Sequence, residues 1–307
     1  MIEELIQVAS YGNREVKSKK ISPEVIKFGE KKMLNKIIAI YAIVEDLLKA
    51  TGHQEDCRVQ MSDAEVITTG LVAARFFNGN QSLACEYLLE HNLIPKMLSK
   101  SRFSRRWHRL FLPLIDLFDY LGTILKSLNS SNEYMLDSFP IAICDNIRIP
   151  SARLVSSENY RGYIASKKRY FDGIRVQLLS TTNEIPVEFV FLPGEANDTR
   201  GLKALPFNLP PRSTVYGDAG YTDYLAEDNI QETEQITLAI MGKKNSRRPD
   251  EPYVAYIKQH LRHPIETLFS QIIQRFAKSI HAVTIDGFLM KILASIMVYQ
   301  IESAFIS

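Results

Sequence analysis

Thr214-Val215-Tyr216-Gly217-Asp218-Ala219-Gly220-Tyr221 is a short apolar run that ends on an acid and then turns through glycine. Val215 and Tyr216 favour strands and the glycines favour turns, so the stretch reads as a strand with Asp218 at its end. Upstream, Tyr134-Met135-Leu136-Asp137-Ser138-Phe139 gives the same signal, an apolar run interrupted by an acid. Downstream, His263-Pro264-Ile265-Glu266-Thr267-Leu268-Phe269 puts a third acid, Glu266, at the opening of an amphipathic helix. Singly, each acid has an ordinary structural reading, as a turn or cap residue or as a first-turn glutamate favoured by the helix dipole. Jointly, three carboxylates on two strands and a helix suit Mg²⁺, which keeps several waters and takes few protein ligands. Two such ions can activate a water and steady the leaving oxygen of a phosphodiester.

The flanking periodicity sets the fold. After the polar segment 129–132, strands are expected at 134–139, 174–178 and 187–191, with a turn at 182–186 between the last two. A short helix at 200–205, the Val215 strand, a helix at 222–230, a strand at 236–241 and a helical region from about Tyr253 follow. This β-β-β-α-β-α-β-α order is that of the ribonuclease-H-like fold, in which acids from the first and fourth strands and a late helix converge on one edge. Asp198, after a strand and before a helix, reads most simply as an N-cap, with a supporting role near the metals as the secondary reading. Asp145 reads as a loop acid.

Residues 31–128 instead repeat with helical spacing. Leu34, Ile37, Ile38, Tyr41, Val44 and Leu48 lie at i, i+3, i+4, i+7 intervals, and Gly52 marks a stop. Ser62-Asp63-Ala64-Glu65 is a capping box that opens a helix ended by Asn78-Gly79-Asn80. A short helix at 83–90 and a long one at 101–126, bent near Pro113, complete a bundle. Within it, Ser99-Lys100-Ser101-Arg102-Phe103-Ser104-Arg105-Arg106-Trp107-His108-Arg109 is strongly basic. Arg102, Arg105, Arg106 and Arg109 are candidate DNA-phosphate contacts in a helix-turn-helix-like arrangement; the alternative is a solvated basic face over a buried Phe103 and Trp107. The fold class is therefore α+β: an N-terminal all-helical, DNA-binding region at 1–128 and a mixed sheet flanked by helices at 129–307. Residues 1–29 are polar and read as an arm or a small helix pair.

Composition is that of an ordinary globular protein, with 307 residues, 46% hydrophobic and 23% charged. A formal net charge of +2 does not by itself nominate a nucleic-acid partner, so clustering carries that argument. Three widely spaced cysteines, Cys57, Cys85 and Cys144, argue against a disulfide framework or a cysteine-based zinc site. The N-terminus reads as lacking a signal peptide, and no apolar run reads as reaching the roughly 20 residues needed to cross a bilayer. A cytoplasmic location without a membrane partner is expected.

Leu136-Asp137-Ser138-Phe139-Pro140-Ile141, Gly217-Asp218-Ala219-Gly220-Tyr221, and Arg262 four residues before Glu266 resemble the catalytic segments of DDE-type transposases of bacterial insertion sequences. The likeness covers roughly residues 130 to 300. It implies a metal-dependent enzyme that cuts and joins DNA, with Asp137, Asp218 and Glu266 holding two Mg²⁺ or Mn²⁺ ions. Arg262 would steady Glu266 or a phosphate. The resemblance also implies double-stranded DNA as partner, both element ends and target, a dimer on DNA, and a bacterial, nucleoid-associated setting. The chain departs from related enzymes in carrying Gln259 and Ile273 where a tyrosine and a lysine are common, leaving Arg275 or Lys278 to take a phosphate contact.

Glu251, Asp250 and Glu302 are competing third acids. His260, His263 and Glu266 recur every three residues, as zinc ligands do, but Pro264 is expected to break the helix between the histidines and the glutamate. Two basic segments add further DNA-backbone candidates: Lys167, Lys168 and Arg169, and Lys243, Lys244, Arg247 and Arg248. A structure-selective nuclease on the same fold and a catalytically inactive DNA-binding protein are the competing functions.

Overall fold

Helix α1 (Pro23–Ala50) opens the described part of the chain. It covers the periodic stretch and reaches back to Pro23, the first described residue. The structure, a computed structural model, describes residues 23–145, 158–164, 169–242, 246, 248–250, 252–274, 276, 280 and 282–306; within these elements the side chains of Arg262 and Glu266, among others, are not described. Residues 1–22 lie outside the described set.

Four more helices complete the N-terminal bundle: α2 (Asp63–Phe76), α3 (Gln81–Glu90), α4 (Lys100–Arg109) and α5 (Phe111–Leu128). The capping box forms as its sequence dictates: Ser62 accepts from the Glu65 N–H, and Glu65 Oε2 accepts from the Ser62 N–H at 2.6 Å. Asn78 and Gly79, at φ 49° and 76°, close α2, and the Gly79 N–H reaches back to the Ala73 carbonyl. The long helix expected at 101–126 is two helices. The break falls at buried Leu110, between α4 and α5, rather than at Pro113. Pro113 sits in the first turn of α5, where an N–H would have no intrahelical acceptor, so it costs the helix little.

The sheet contains β1 (Glu133–Asp145), β2 (Arg161–Ile164), β3 (Arg169–Thr181), β4 (Pro186–Pro193), β5 (Thr214–Gly217) and β6 (Thr237–Ile240). β3 pairs antiparallel with β1, and with both β4 and the short β2, a strand absent from the expected order. β1, β5 and β6 run parallel. Helix α6 (Asp198–Ala204) and helix α7 (Tyr224–Glu234) flank β5, and α8 (Pro252–Gln274) and α9 (Ile285–Phe305) close the chain. Tyr134, Met135 and Leu136 are buried in succession, as a strand covered on both faces requires. β1 extends to Asp145, which therefore ends a strand opposite Phe171 instead of lying in a loop.

Helix α9 corrects the expectation about apolar runs. It is 21 residues long and contains an 18-residue stretch of mean hydropathy 1.4, so by length and composition it could span a bilayer. Here 72% of its apolar stretch is buried inside the fold. A helix that is apolar on every side needs cover on every side. α9 finds it against α1, α2, α4 and α5 on one side and β4 and α8 on the other. Helix gives way to strand at 129–132, but the packing does not part there, because α9 joins the bundle to the sheet.

Glu302, on α9, is 6% exposed and holds Lys36 of α1 at 3.0 Å and Arg75 of α2 at 2.6 Å. It is a structural ion-pair centre and not an acid in a polar position. Replacing it leaves two cations over an apolar helix junction. Glu302→Gln is expected to lower unfolding free energy by about 3 kcal/mol, the low end for breaking a buried pair, since both cations keep some access to water. Urea denaturation measures this, and an unchanged midpoint would contradict the assignment.

Candidate active site

The parallel pairing of β1 with β5 aligns Glu133 with Thr214, Tyr134 with Val215, Met135 with Tyr216 and Leu136 with Gly217. Carried one residue further, the same register sets Asp137 beside Asp218. Neighbouring strands lie about 4.8 Å apart, so two carboxylates at matched positions on one face share a single site. Both residues are half-buried. Each is oriented by the chain that follows it: Asp137 Oδ1 accepts from the Ser138 N–H at 2.7 Å, and Asp218 Oδ1 from the Ala219 N–H at 2.5 Å. The cap reading of Asp218 is thus true of one oxygen. It begins the turn Ala219–Tyr221 that carries the chain out of β5.

Helix α8 crosses β1 and β5. Ile265, Leu268, Phe269 and Ile272 are its buried stripe, and the Phe269 ring meets Phe139 at 4.7 Å. Phe139 shares its strand face with Asp137, two residues away, so α8 covers the face that bears Asp137. Two expectations about this helix change. It runs unbroken through Pro264, and Glu266 lies well inside it and not in its first turn. The proline forfeits the bond to the His260 carbonyl, and burial of the four apolar side chains that follow offsets the loss. First-turn capping therefore does not account for Glu266. Ile273, one heptad on and in nearly the same angular direction, is 44% exposed, which puts that direction at the border of the buried stripe. The side chains of Glu266, Arg262 and His263 are outside the described residues, and His260 Nδ1 bonds the Tyr256 carbonyl at 2.9 Å.

Beneath the acids lies a polar layer of which the sequence suggests only Asp198. Ser138 Oγ donates to Asp198 Oδ1 at 2.9 Å and accepts from Arg175 Nη1 at 3.0 Å. Gln177 Nε2 donates to the Tyr221 hydroxyl at 2.5 Å. Alternation along 174–178 suggests a half-buried strand with Arg175 and Gln177 turned to water; in the structure Gln177 is fully buried. Helix α6 and the turn after Asp218 cover that face. Asp198 is not the N-cap of α6, a role taken by Asn197, which accepts from the Arg200 N–H. Burial, then the charges of Asp137 and Asp198, holds the Tyr221 phenol well above the ordinary tyrosine range. It remains protonated and is no nucleophile at physiological pH.

The basic stretch forms α4. Phe103 and Trp107 are buried as expected, and Arg102, Arg105 and Arg109 are exposed. Arg106 differs: its guanidinium bonds Asp63 at 2.5 Å and Glu55 at 2.9 Å, tying α4 to the start of α2. The segment 91–99 between α3 and α4 is longer than the 3–4-residue turn of a helix-turn-helix, because Ile94 folds back into the core. Among the other basic candidates, Arg248 pairs with Asp228 at 2.8 Å and covers the Tyr224 ring. Lys167, Lys168, Lys243, Lys244 and Arg247, and the side chain of Arg169, lie outside the described residues, as does Glu251. Asp250 accepts from the Gly242 N–H.

A sheet ordered β2-β3-β1-β5-β6, with β4 also paired to β3, acids at the ends of its central parallel pair and a helix laid over them, defines an α+β, ribonuclease-H-like domain. The family described as the transposase DDE domain matches residues 131–301, more than half of the chain, and the chain belongs to that family. No curated protein and no solved structure matches it. Membership makes the protein an enzyme of the nuclease and transferase kind, with DNA as its substrate class; divalent metal ions are general in the family. Among the described residues no group of three or more His, Cys, Asp or Glu side chains could hold a metal ion; Asp137 and Asp218 supply two hard oxygen donors of the kind such cations take.

The α4 geometry separates its arginines by role. Arg106→Ala deprives Asp63 and Glu55 of their shared cation and is expected to cost about 1–3 kcal/mol of stability. Arg102→Ala, Arg105→Ala and Arg109→Ala, all at exposed positions, are expected to stay within about 0.5 kcal/mol of the parent. Thermal melts of the four variants decide this, and equal melting temperatures would refute the distinction.

Proposed function

We propose that the protein cuts at the ends of a mobile DNA element and joins the exposed 3′-hydroxyl to target DNA, with Asp137, Asp218 and Glu266 holding two Mg²⁺ or Mn²⁺ ions. The observation that carries this reading is the parallel pairing of Leu136 with Gly217, the residues just before Asp137 and Asp218, on the strand pair crossed by the helix that bears Glu266. When bound, the ions supply activation of the attacking oxygen and charge neutralisation at the leaving oxygen. The chain's own residues hold and aim. Asp137 and Asp218 each present a carboxylate fixed by the next backbone N–H, so little reorganisation accompanies ligand binding. Glu266 adds a third carboxylate from α8, and Arg262, one turn earlier, steadies Glu266 or a DNA phosphate. No side chain acts as nucleophile: water attacks phosphorus first, then the freed 3′-hydroxyl does.

For DNA binding, exposed Arg102, Arg105 and Arg109 on α4 contact the backbone of the element ends, while Arg106 supports the helix. Lys167, Lys168, Arg169, Lys243, Lys244, Arg247 and Arg248 track the DNA nearer the chemistry. Two ends must be cut together, so the working unit is a dimer on DNA, in the cytoplasm of a bacterial cell and associated with its nucleoid. The helical region 1–128 recognises ends and 129–307 performs catalysis.

The test is a cleavage and strand-transfer assay with the element's own terminal DNA. Asp137→Ala, Asp218→Ala and Glu266→Gln are expected to abolish Mg²⁺-dependent cleavage while retaining end binding. Full cleavage by any of the three removes that residue from the metal site. Cutting without joining would identify a nuclease, and neither activity would identify a DNA-binding protein alone.

Salt dependence checks the second claim. Replacing Arg102, Arg105 and Arg109 together by alanine should flatten the slope of log K against log salt by roughly 0.9 for each phosphate no longer neutralised. An unchanged slope would return α4 to a solvated face.

A further inference from the structure

The polar layer under the carboxylates joins the two segments that carry them. Ser138 follows Asp137 directly, and Tyr221 ends the turn that Asp218 begins. The Tyr221 hydroxyl receives a hydrogen bond from Gln177 and interacts with the Ser138 side chain. Ser138 in turn donates to Asp198 and accepts from Arg175, whose guanidinium is 3.7 Å from Asp198. Side chains alternate along β1, so Ser138 points to the face opposite Asp137, and the cluster supports the acids from behind. The approach is close: a Cβ on Gly220 would fall 2.5 Å from Asp198 Oδ2, so the turn after Asp218 must carry glycine to reach this carboxylate.

Buried polar groups cost desolvation that apolar side chains of similar volume avoid, and here Arg175 Nε and Gln177 Oε1 are buried without a hydrogen-bond partner, so the cluster is kept at a cost to stability while its formed bonds hold its members in place. This one links β1, β3, α6 and the turn after β5, the elements whose relative placement sets the distance between Asp137 and Asp218. We propose that the Tyr221 hydroxyl and the Asp198 carboxylate are positioning residues, which hold the two strand-borne acids at the separation that divalent ions require. The proposal rests on reading that pair as the metal site. Groups that orient metal ligands typically change affinity by about 10–100-fold when removed.

The experiment measures Mn²⁺ binding to the full-length protein without DNA, by electron paramagnetic resonance, alongside melting temperature. Tyr221→Phe and Asp198→Asn are expected to weaken Mn²⁺ binding about tenfold or more. Cleavage by both should recover toward the parent rate at saturating Mn²⁺. Leu121→Ala, in the core of α5 away from the network, calibrates the effect of reduced stability alone and should bind Mn²⁺ normally. Affinity within twofold of the parent in both variants overturns the proposal, whatever their melting temperatures. Should Tyr221→Phe fail to fold, Asp198→Asn carries the test. If the parent shows no Mn²⁺ binding that Asp137→Asn removes, the metal-site reading itself fails, which is a different result from normal parental binding with unaffected variants.

Discussion

The register between β1 and β5 is the constraint on which the proposed metal site depends. Leu136 opposite Gly217 brings Asp137 beside Asp218, although the two strands are far apart in the chain. A slip of one residue would turn one carboxylate to the opposite face. The register is held by burial and not by the short β5 ladder itself. Met135, Leu136 and Val215 are buried, and β6 extends the parallel pairing from Val215 to Leu238 and from Gly217 to Ile240. The polar layer of Ser138, Gln177, Tyr221 and Asp198 then locks the strand ends where apolar packing stops.

Helices fix what the sheet leaves open. α8 presses Ile265, Leu268, Phe269 and Ile272 onto β1 and β5, so the position of Glu266 follows from the packing of its neighbours. α9 holds the bundle against the sheet, through apolar contact on all sides and through Glu302 with Lys36 and Arg75. A second buried pair, Lys126 of α5 with Glu188 of β4 at 2.8 Å, ties the same two layers. The basic helix α4 is anchored by Phe103, Trp107 and Arg106, which leaves Arg102, Arg105 and Arg109 outward. The basic helix and the carboxylate pair are therefore joined through one continuous core.

Much of this is legible in the chain. Period-two and period-3.6 patterns mark the strands and helices in order, the capping box at Ser62 and Glu65 fixes the start of α2, and apolar runs ending in acids mark Asp137 and Asp218. What escapes is set by tertiary context. Arg175 and Gln177 alternate with apolar residues as exposed positions do, and nothing local announces the helix that covers them. Pro264 carries a strong breaking signal that the packing of α8 overrides. Glu302 lies near the terminus with no arginine partner in its own stretch, because its cations come from α1 and α2, distant in sequence. The break at Leu110 rather than Pro113 reflects the tolerance of a first helical turn for proline. Asn197, and not Asp198, caps α6, since either side chain satisfies the local signal and the bond between Asp198 and Ser138 decides between them.

The most direct measurement of the proposed metal site is diffraction from crystals of the protein with its terminal DNA, grown with Mn²⁺ and recorded at the manganese absorption edge. Anomalous peaks within coordination distance of Asp137, Asp218 and Glu266 are the expected result. Peaks coordinated by other carboxylates, or none between Asp137 and Asp218, would contradict it.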